Sequence, residues 1–137
     1  MFNVGLIKFR KIHREEGDLT PIESLRDIPF EIKRVYYIYN VPDGALRGAH
    51  AHRRLHEVLV CLHGSMKVDC EFCGQKVTYE LNDPTVGLYM GPYVWINMYD
   101  FSNDAVCVVF ASDYYDESDY IRDYSVFLEE SKNMFRL

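Results

Sequence analysis

The sequence has no long apolar run. Nothing in its 137 residues approaches the roughly 18 consecutive apolar side chains that a membrane-spanning helix requires. Lys8, Arg10 and Lys11 interrupt the N-terminal stretch, so it lacks the apolar centre of a secretory signal. The expectation is a cytoplasmic protein with no membrane partner. Positive charge is scarce: 15 Lys and Arg stand against 21 Asp and Glu, a net charge of −6. A broad nucleic-acid-binding face needs a basic surface and is therefore excluded, while one phosphorylated ligand held by a few local arginines is not. Cysteine is limited to Cys61, Cys70, Cys73 and Cys107. Cys70 and Cys73 form a lone C-x-x-C, and a structural zinc site usually needs a second pair. Cys61 and Cys107 lie inside apolar runs, so all four are expected as reduced thiols, mostly packed as small hydrophobes. Internal repeats and linker-like segments are also missing, and residues 1–137 read as a single domain.

Aromatic residues are plentiful, at 15% of the chain with 11 tyrosines. A tyrosine ring packs while its hydroxyl bonds, which suits a pocket, although β proteins are also generally tyrosine-rich. Short apolar stretches recur at 34–41, 57–62, 66–72, 76–81, 86–90 and 105–111. Between them stand Asp43-Gly44, His63-Gly64, Cys73-Gly74, Asp83-Pro84 and Gly91-Pro92, pairs that favour turns because glycine permits positive φ and proline fixes its own. This spacing predicts an all-β sandwich or barrel. Met66, Val68, Cys70 and Phe72 would share one face, with Lys67, Asp69 and Glu71 on the other. Residues 2–9 read as a further strand with no neighbour in sequence, open to pairing with another subunit. Helical rhythm starts near Ser118 and runs through Tyr124 to Lys132, predicting one C-terminal helix on the outside.

The chemistry-bearing stretch runs from Gly44 to Gly64. It reads G-x5-H-x-H-x4-E-x6-G, with His50, His52 and Glu57 at its anchors. Residues i and i+2 of a strand point the same way, so two imidazoles stand side by side, and a barrel interior is where they would meet a ligand. The pattern resembles the first motif of the cupins, jelly-roll β-barrels. Two uses compete. Metal cupins bind an ion through these residues and a third histidine from a second motif. The matching region, 87–101, contains none, so no metal is expected. The other use is acid–base catalysis, since imidazole exchanges protons near neutral pH.

A closer resemblance covers nearly the whole chain, in order. Residues 19–23, 28–38, 47–52 (Arg47-Gly48-Ala49-His50-Ala51-His52), 86–92 and 111–122 are similar to the sugar-nucleotide 3,4-ketoisomerases that act on TDP-4-keto-6-deoxyglucose. Residues 111–122 are the most specific, because a generic cupin has no need of them. The resemblance implies a metal-independent, cofactor-free reaction on a TDP-linked keto sugar, in a homodimer that exchanges N-terminal strands. It implies His50 as the base at C3, His52 as the proton shuttle or the acid at C4, and Tyr37 bonding the sugar near the developing enediol. Arg34, Arg47 and Arg53 become candidates for the diphosphate, and Tyr89 and Trp95 for packing on base or sugar. Two positions depart from the family pattern. Glu16 precedes Gly17 where the family carries Arg or Tyr, and Ile96 follows Trp95 where it carries His or Arg. Both positions line the site in the family, so the configuration at C4 does not carry over; Asn97 is a candidate replacement donor. The alternatives are a nucleotide-sugar epimerase on the same barrel and a non-catalytic nucleotide-sugar-binding cupin; a metal dioxygenase cupin fails on the missing third histidine.

Overall fold

The computed structural model describes residues 3–135, so the start of the strand expected at 2–9 lies outside the described residues. Twelve strands are β1 Val4–Lys8, β2 Ile12–Arg14, β3 Gly17–Leu19, β4 Arg34–Ile38, β5 Arg47–His52, β6 Glu57–His63, β7 Met66–Phe72, β8 Gln75–Leu81, β9 Val86–Met90, β10 Trp95–Tyr99, β11 Val106–Ala111 and β12 Tyr120–Ile121. They build two five-stranded sheets, ordered β1-β9-β6-β11-β4 and β12-β5-β10-β7-β8, with a separate β2–β3 hairpin. Every strand pairing is antiparallel. The result is the expected jelly-roll barrel with one C-terminal helix, α1 Tyr124–Phe135.

Alternation decides the core. Met66, Val68, Cys70 and Phe72 all lie between the sheets, with Leu59, Leu88, Met98 and Val109 packed around them. The Cys73-Gly74 pair makes the tight turn between β7 and β8: both residues have positive φ, of 50° and 79°, and Phe72 pairs with Gln75. Positive φ at both central residues matches the right-handed twist of the flanking strands. The four thiols are free.

Two differences from the sequence reading have local causes. The stretch expected at 34–41 ends at Ile38, because Asn40 turns the chain at φ 56°. The helix expected from 118 is a single 3-10 turn, Glu117–Asp119, followed by β12, and α1 starts only after Asp123. The Asp123 carboxylate accepts the Ser125 N–H at 2.9 Å and so caps the helix. Glu71, on the face of β7 opposite the core, is nonetheless buried, and the Tyr124 hydroxyl bonds its carboxylate at 2.8 Å. Helix α1 thus covers the outer face of the second sheet, where Phe127 packs with Ala51, Tyr93, Trp95 and Ile121.

Within the chain, β1 pairs with β9 through Val4↔Met90 to Lys8↔Val86. No helix among the described residues is long and apolar enough to cross a membrane.

Candidate active site

Strand β5 carries the paired histidines, and its start is irregular. Gly48 and Ala49 both have positive φ, of 90° and 54°. Opposite them the register with β10 slips between Ile96 and Asn97, so Ile96 faces His50 while Asn97 faces Gly48. This is a β-bulge, which places one extra residue in the strand and re-aims the side chains beyond it. In a regular strand Arg47 and His50, three apart, would point to opposite faces. The bulge brings both into one cleft. A methyl group at Gly48 would sit 3.0 Å from the Ile96 carbonyl oxygen, so the position needs glycine on two counts.

The cleft has a volume of about 330 Å3. Its walls include Arg34, Tyr36, Arg47, His50, Tyr120 and Arg122. His50 is largely buried. Burial, together with the neighbouring His52 charge, lowers its pKa to about 4, so near neutral pH it is an uncharged acceptor. Tyr36 donates its hydroxyl to Glu57 Oε2 at 2.7 Å, and burial followed by that carboxylate pushes the phenol well above its usual range. Arg34 lies over the Tyr36 and Tyr115 rings, 5.2 and 5.6 Å from their centroids. Arg122 stacks 4.3 Å above Tyr120 and is paired with Glu117.

His52 stands behind His50 rather than in the cleft. Their ring centroids are 5.0 Å apart, edge to face, and Tyr120 packs against both. His52 is 5% exposed, between two buried carboxylates. Its Nε2 lies 3.3 Å from Glu57 Oε1 and its Nδ1 lies 3.3 Å from Asp119 Oδ2. Both contacts have ion-pair length without hydrogen-bond alignment. Burial raises the Glu57 pKa, but the charge and contact of His52 and the Tyr36 hydroxyl outweigh it, and the net shift is downward. Asp119 is fixed by the Arg54 and Leu55 N–H groups, at 2.8 and 3.2 Å.

Several candidates fall elsewhere, for reasons of strand phase. Tyr37 is 64% exposed on the outside of β4, its ring tilted against Tyr39; its neighbour Tyr36 is the inward phenol. Trp95 and Asn97 lie on the outer face of β10, where Trp95 packs on Tyr124 and Phe127. They border a separate cavity on the outer face of the second sheet, beside Tyr124, so Asn97 does not line the cleft. Tyr89 faces the outer side of the first sheet, where its hydroxyl bonds His56 Nδ1 at 2.7 Å. Arg53 is committed to structure: it holds Glu130 two-pronged at 3.0 and 2.9 Å and donates to the Ser118 and Tyr120 carbonyls. Glu16 sits in the exposed turn of the β2–β3 hairpin and does not line the cleft. The cleft therefore gathers Arg34, Arg47 and His50 from the candidate set. It adds Tyr36, Tyr120 and Arg122, and sets His52, Glu57 and Asp119 behind.

One donor atom each from His50, His52 and Glu57 lies within 4.8 Å of the others. Two imidazoles and a carboxylate are metal-type ligands. Here the set fits an ion poorly. Glu57 already accepts from Tyr36 and faces His52, and His52 faces Asp119 on its other side. Strand β10 supplies Ile96 and Met98 where a third imidazole would be needed.

A model of the family described as FdtA, WxcM-like, C-terminal, matches residues 2–132. The chain belongs to this family. A curated relative, the TDP-4-oxo-6-deoxy-alpha-D-glucose-3,4-oxoisomerase of Aneurinibacillus thermoaerophilus, is 52% identical over 124 residues, 89% of this chain and 88% of that protein. Among solved structures, the 3,4-ketoisomerase QdtA of Thermoanaerobacterium thermosaccharolyticum superposes with a TM-score of 0.96 at 51% identity, covering 98% of both chains. That structure is a histidine-to-asparagine variant in complex with TDP-4-keto-6-deoxyglucose. The TDP-fucose-3,4-ketoisomerase WlaRA of Campylobacter jejuni follows with a TM-score of 0.92 at 35% identity, over 97% of this chain and 98% of its own. This FdtA-family chain is an isomerase, as its relatives are.

Proposed function

We propose that this FdtA-family isomerase moves the carbonyl of TDP-4-keto-6-deoxyglucose from C4 to C3 through an enediol, with His50 as the base. One observation carries the reading. His50 is the one imidazole lining the cleft among the described residues, and three arginines line the same cleft. Arg34, Arg47 and Arg122 supply the charge and forked donors that a diphosphate accepts. The C3 proton is acidic because it lies next to the C4 ketone. Neutral His50 takes it and the enediol forms. The substrate loses hydrogen from C3 and O3 and gains it at C4 and O4, so no net proton or redox partner is needed. Tyr36, kept neutral by burial and Glu57, gives its one O–H proton to Glu57 in the free protein and becomes a donor to the developing enediol oxygens when that proton turns from Glu57 to the substrate. His52 does not reach the cleft and serves as a proton shuttle behind His50.

The His52–Asp119 pair is the observation that favours a second reading, an epimerase of the same fold. A likeness to the epimerase NovW, at a TM-score of 0.73 and 15% identity, shows the shared fold alone. Incubation with TDP-4-keto-6-deoxyglucose in deuterated water, followed by proton NMR, separates the readings. Carbonyl transfer with deuterium at C4 is the expected outcome. Exchange confined to C5 would replace it with the epimerase, and binding without change would leave a non-catalytic sugar-nucleotide binder. A full equivalent of bound iron or zinc in the purified protein would overturn the metal-independent mechanism.

The proposal includes a homodimer. Val35, Tyr37 and Tyr39 leave apolar surface exposed on and just beyond edge strand β4, and edge strand β1 exposes Leu6. Exposed apolar patches on sheet edges suit a partner subunit. An exchanged β1 would keep its pairing with β9 and take it from the other chain. Sedimentation of the full chain at a monomer mass would reject this.

A further inference from the structure

A second, smaller chamber of about 50 Å3 lies behind His52. Arg34 and Tyr120 line both it and the cleft, so the two spaces share a wall. Leu55 and Asp119 line its interior, and exposed Asp113 and Asp116 stand at its mouth. Its walls are polar where polarity is costly. Arg34 Nε and both ring nitrogens of His52 are buried without a hydrogen-bond partner. A buried donor left unpaired carries a full desolvation cost, and native structures usually relieve it with ordered water. The chamber offers several times the space that one water needs, roughly 10–15 Å3, and at least two polar partners for it.

We propose that this chamber holds ordered water and is the port through which the catalytic proton exchanges with solvent, with Asp119 as the positioning residue that aims His52 at it. The inference rests on the ketoisomerase reading. His50, His52 and Glu57 bring donor atoms within 4.8 Å of one another, so one bridging water or a small turn of the His50 ring would carry a proton taken up by His50 on to His52. Edge-on His52 faces Glu57 on the cleft side and Asp119 on the chamber side, with His50 and Tyr120 packed on its ring. A proton on His52 passes to a chamber water, which becomes hydronium. A solvent proton returns by the reverse path to His50 and on to C4, and the protein is left as it started. The rear route matters because a bound sugar nucleotide fills the front of the cleft.

The test has two parts. A high-resolution crystal structure of the full chain should show water within hydrogen-bond distance of Arg34 Nε and a ring nitrogen of His52; a dry chamber overturns the proposal. Leu55→Phe should then fill the chamber without touching the cleft. In a single turnover in deuterated water, wild type should place deuterium at C4 in most product. In Leu55→Phe that fraction should fall by more than half, with protium carried over from C3. An unchanged fraction in a folded Leu55→Phe that binds TDP normally also overturns the port. Asp119→Asn should shift the ring-nitrogen NMR signals of His52 and lower kcat with little change in KM; unchanged His52 signals would remove Asp119 from its role. Isomerisation by wild type with an unchanged Leu55→Phe fraction sinks only this inference. No isomerisation by wild type sinks the function itself.

Discussion

Strands β5 and β10 present two faces that differ in kind. The inner face carries Arg47, His50, His52, Ile96 and Met98, and borders the cleft. The outer face carries Ala49, Ala51, Trp95 and Asn97, and lies under or beside helix α1. The same two strands therefore supply chemistry on one side and packing on the other, split by the alternation of a strand. Small residues recur on the outer face of β5 because the helix packs there. Histidines recur on the inner face because the open end of the barrel leaves room for a ligand. A residue's neighbour in sequence is consequently a poor guide to its role in this region.

Variants on the two faces test that division. The largest effect is expected from His50→Asn, which should lower turnover by roughly 10^3-fold or more while the melting curve stays near wild type. Turnover within a factor of a few of wild type would remove His50 as the base. Phe127→Ala acts on the other face. It should cost about 3–5 kcal/mol in denaturant unfolding, while protein that remains folded still isomerises. If activity were lost before unfolding, the two faces would not be independent.

Acid stability should report on the inner face through His50, over a background set by His56 and by paired carboxylates such as Glu117. At pH 5 unfolded His50 is protonated and folded His50, with its pKa near 4, is not. The unfolded state then binds more protons, so stability rises with pH between about 4 and 6.5 and falls away on acidification. The His50 share of that rise is roughly 3 kcal/mol at 1.36 kcal/mol per pKa unit. His50→Asn should flatten this part of the profile, and an identical slope in both proteins would contradict the shift. The smallest effects sharpen the comparison on β4. Tyr36→Phe should lower kcat by about 10- to 100-fold through loss of the hydroxyl that turns from Glu57 to the enediol. Tyr37→Phe should leave kcat unchanged, and the opposite order would put the outward tyrosine in the site.

Much of this was legible before any coordinates. The turn pairs marked the strand boundaries, and β7 alternates so clearly that its core residues follow from the sequence. The H-x-H spacing placed two imidazoles on one face. Strand β4 was different. In Val35-Tyr36-Tyr37-Ile38 both faces carry apolar or aromatic side chains, so the pattern holds no phase and does not tell that Tyr36, not Tyr37, lines the cleft. Arg53, beside two histidines, looks like a ligand donor, but in the structure it holds Glu130. Its partner Glu130 lies 77 positions away, where no local pattern reaches.

The sequence by itself determined the barrel, the turn positions and the pairing of His50 with His52, because these depend on a two-residue repeat and on local backbone preference. The tertiary structure decided which tyrosine faces inward, that the Gly48–Ala49 bulge brings Arg47 beside His50, and that Asp119 backs His52. Each of these depends on what a neighbouring strand or a distant loop places opposite, and a chain's own spacing carries no record of that.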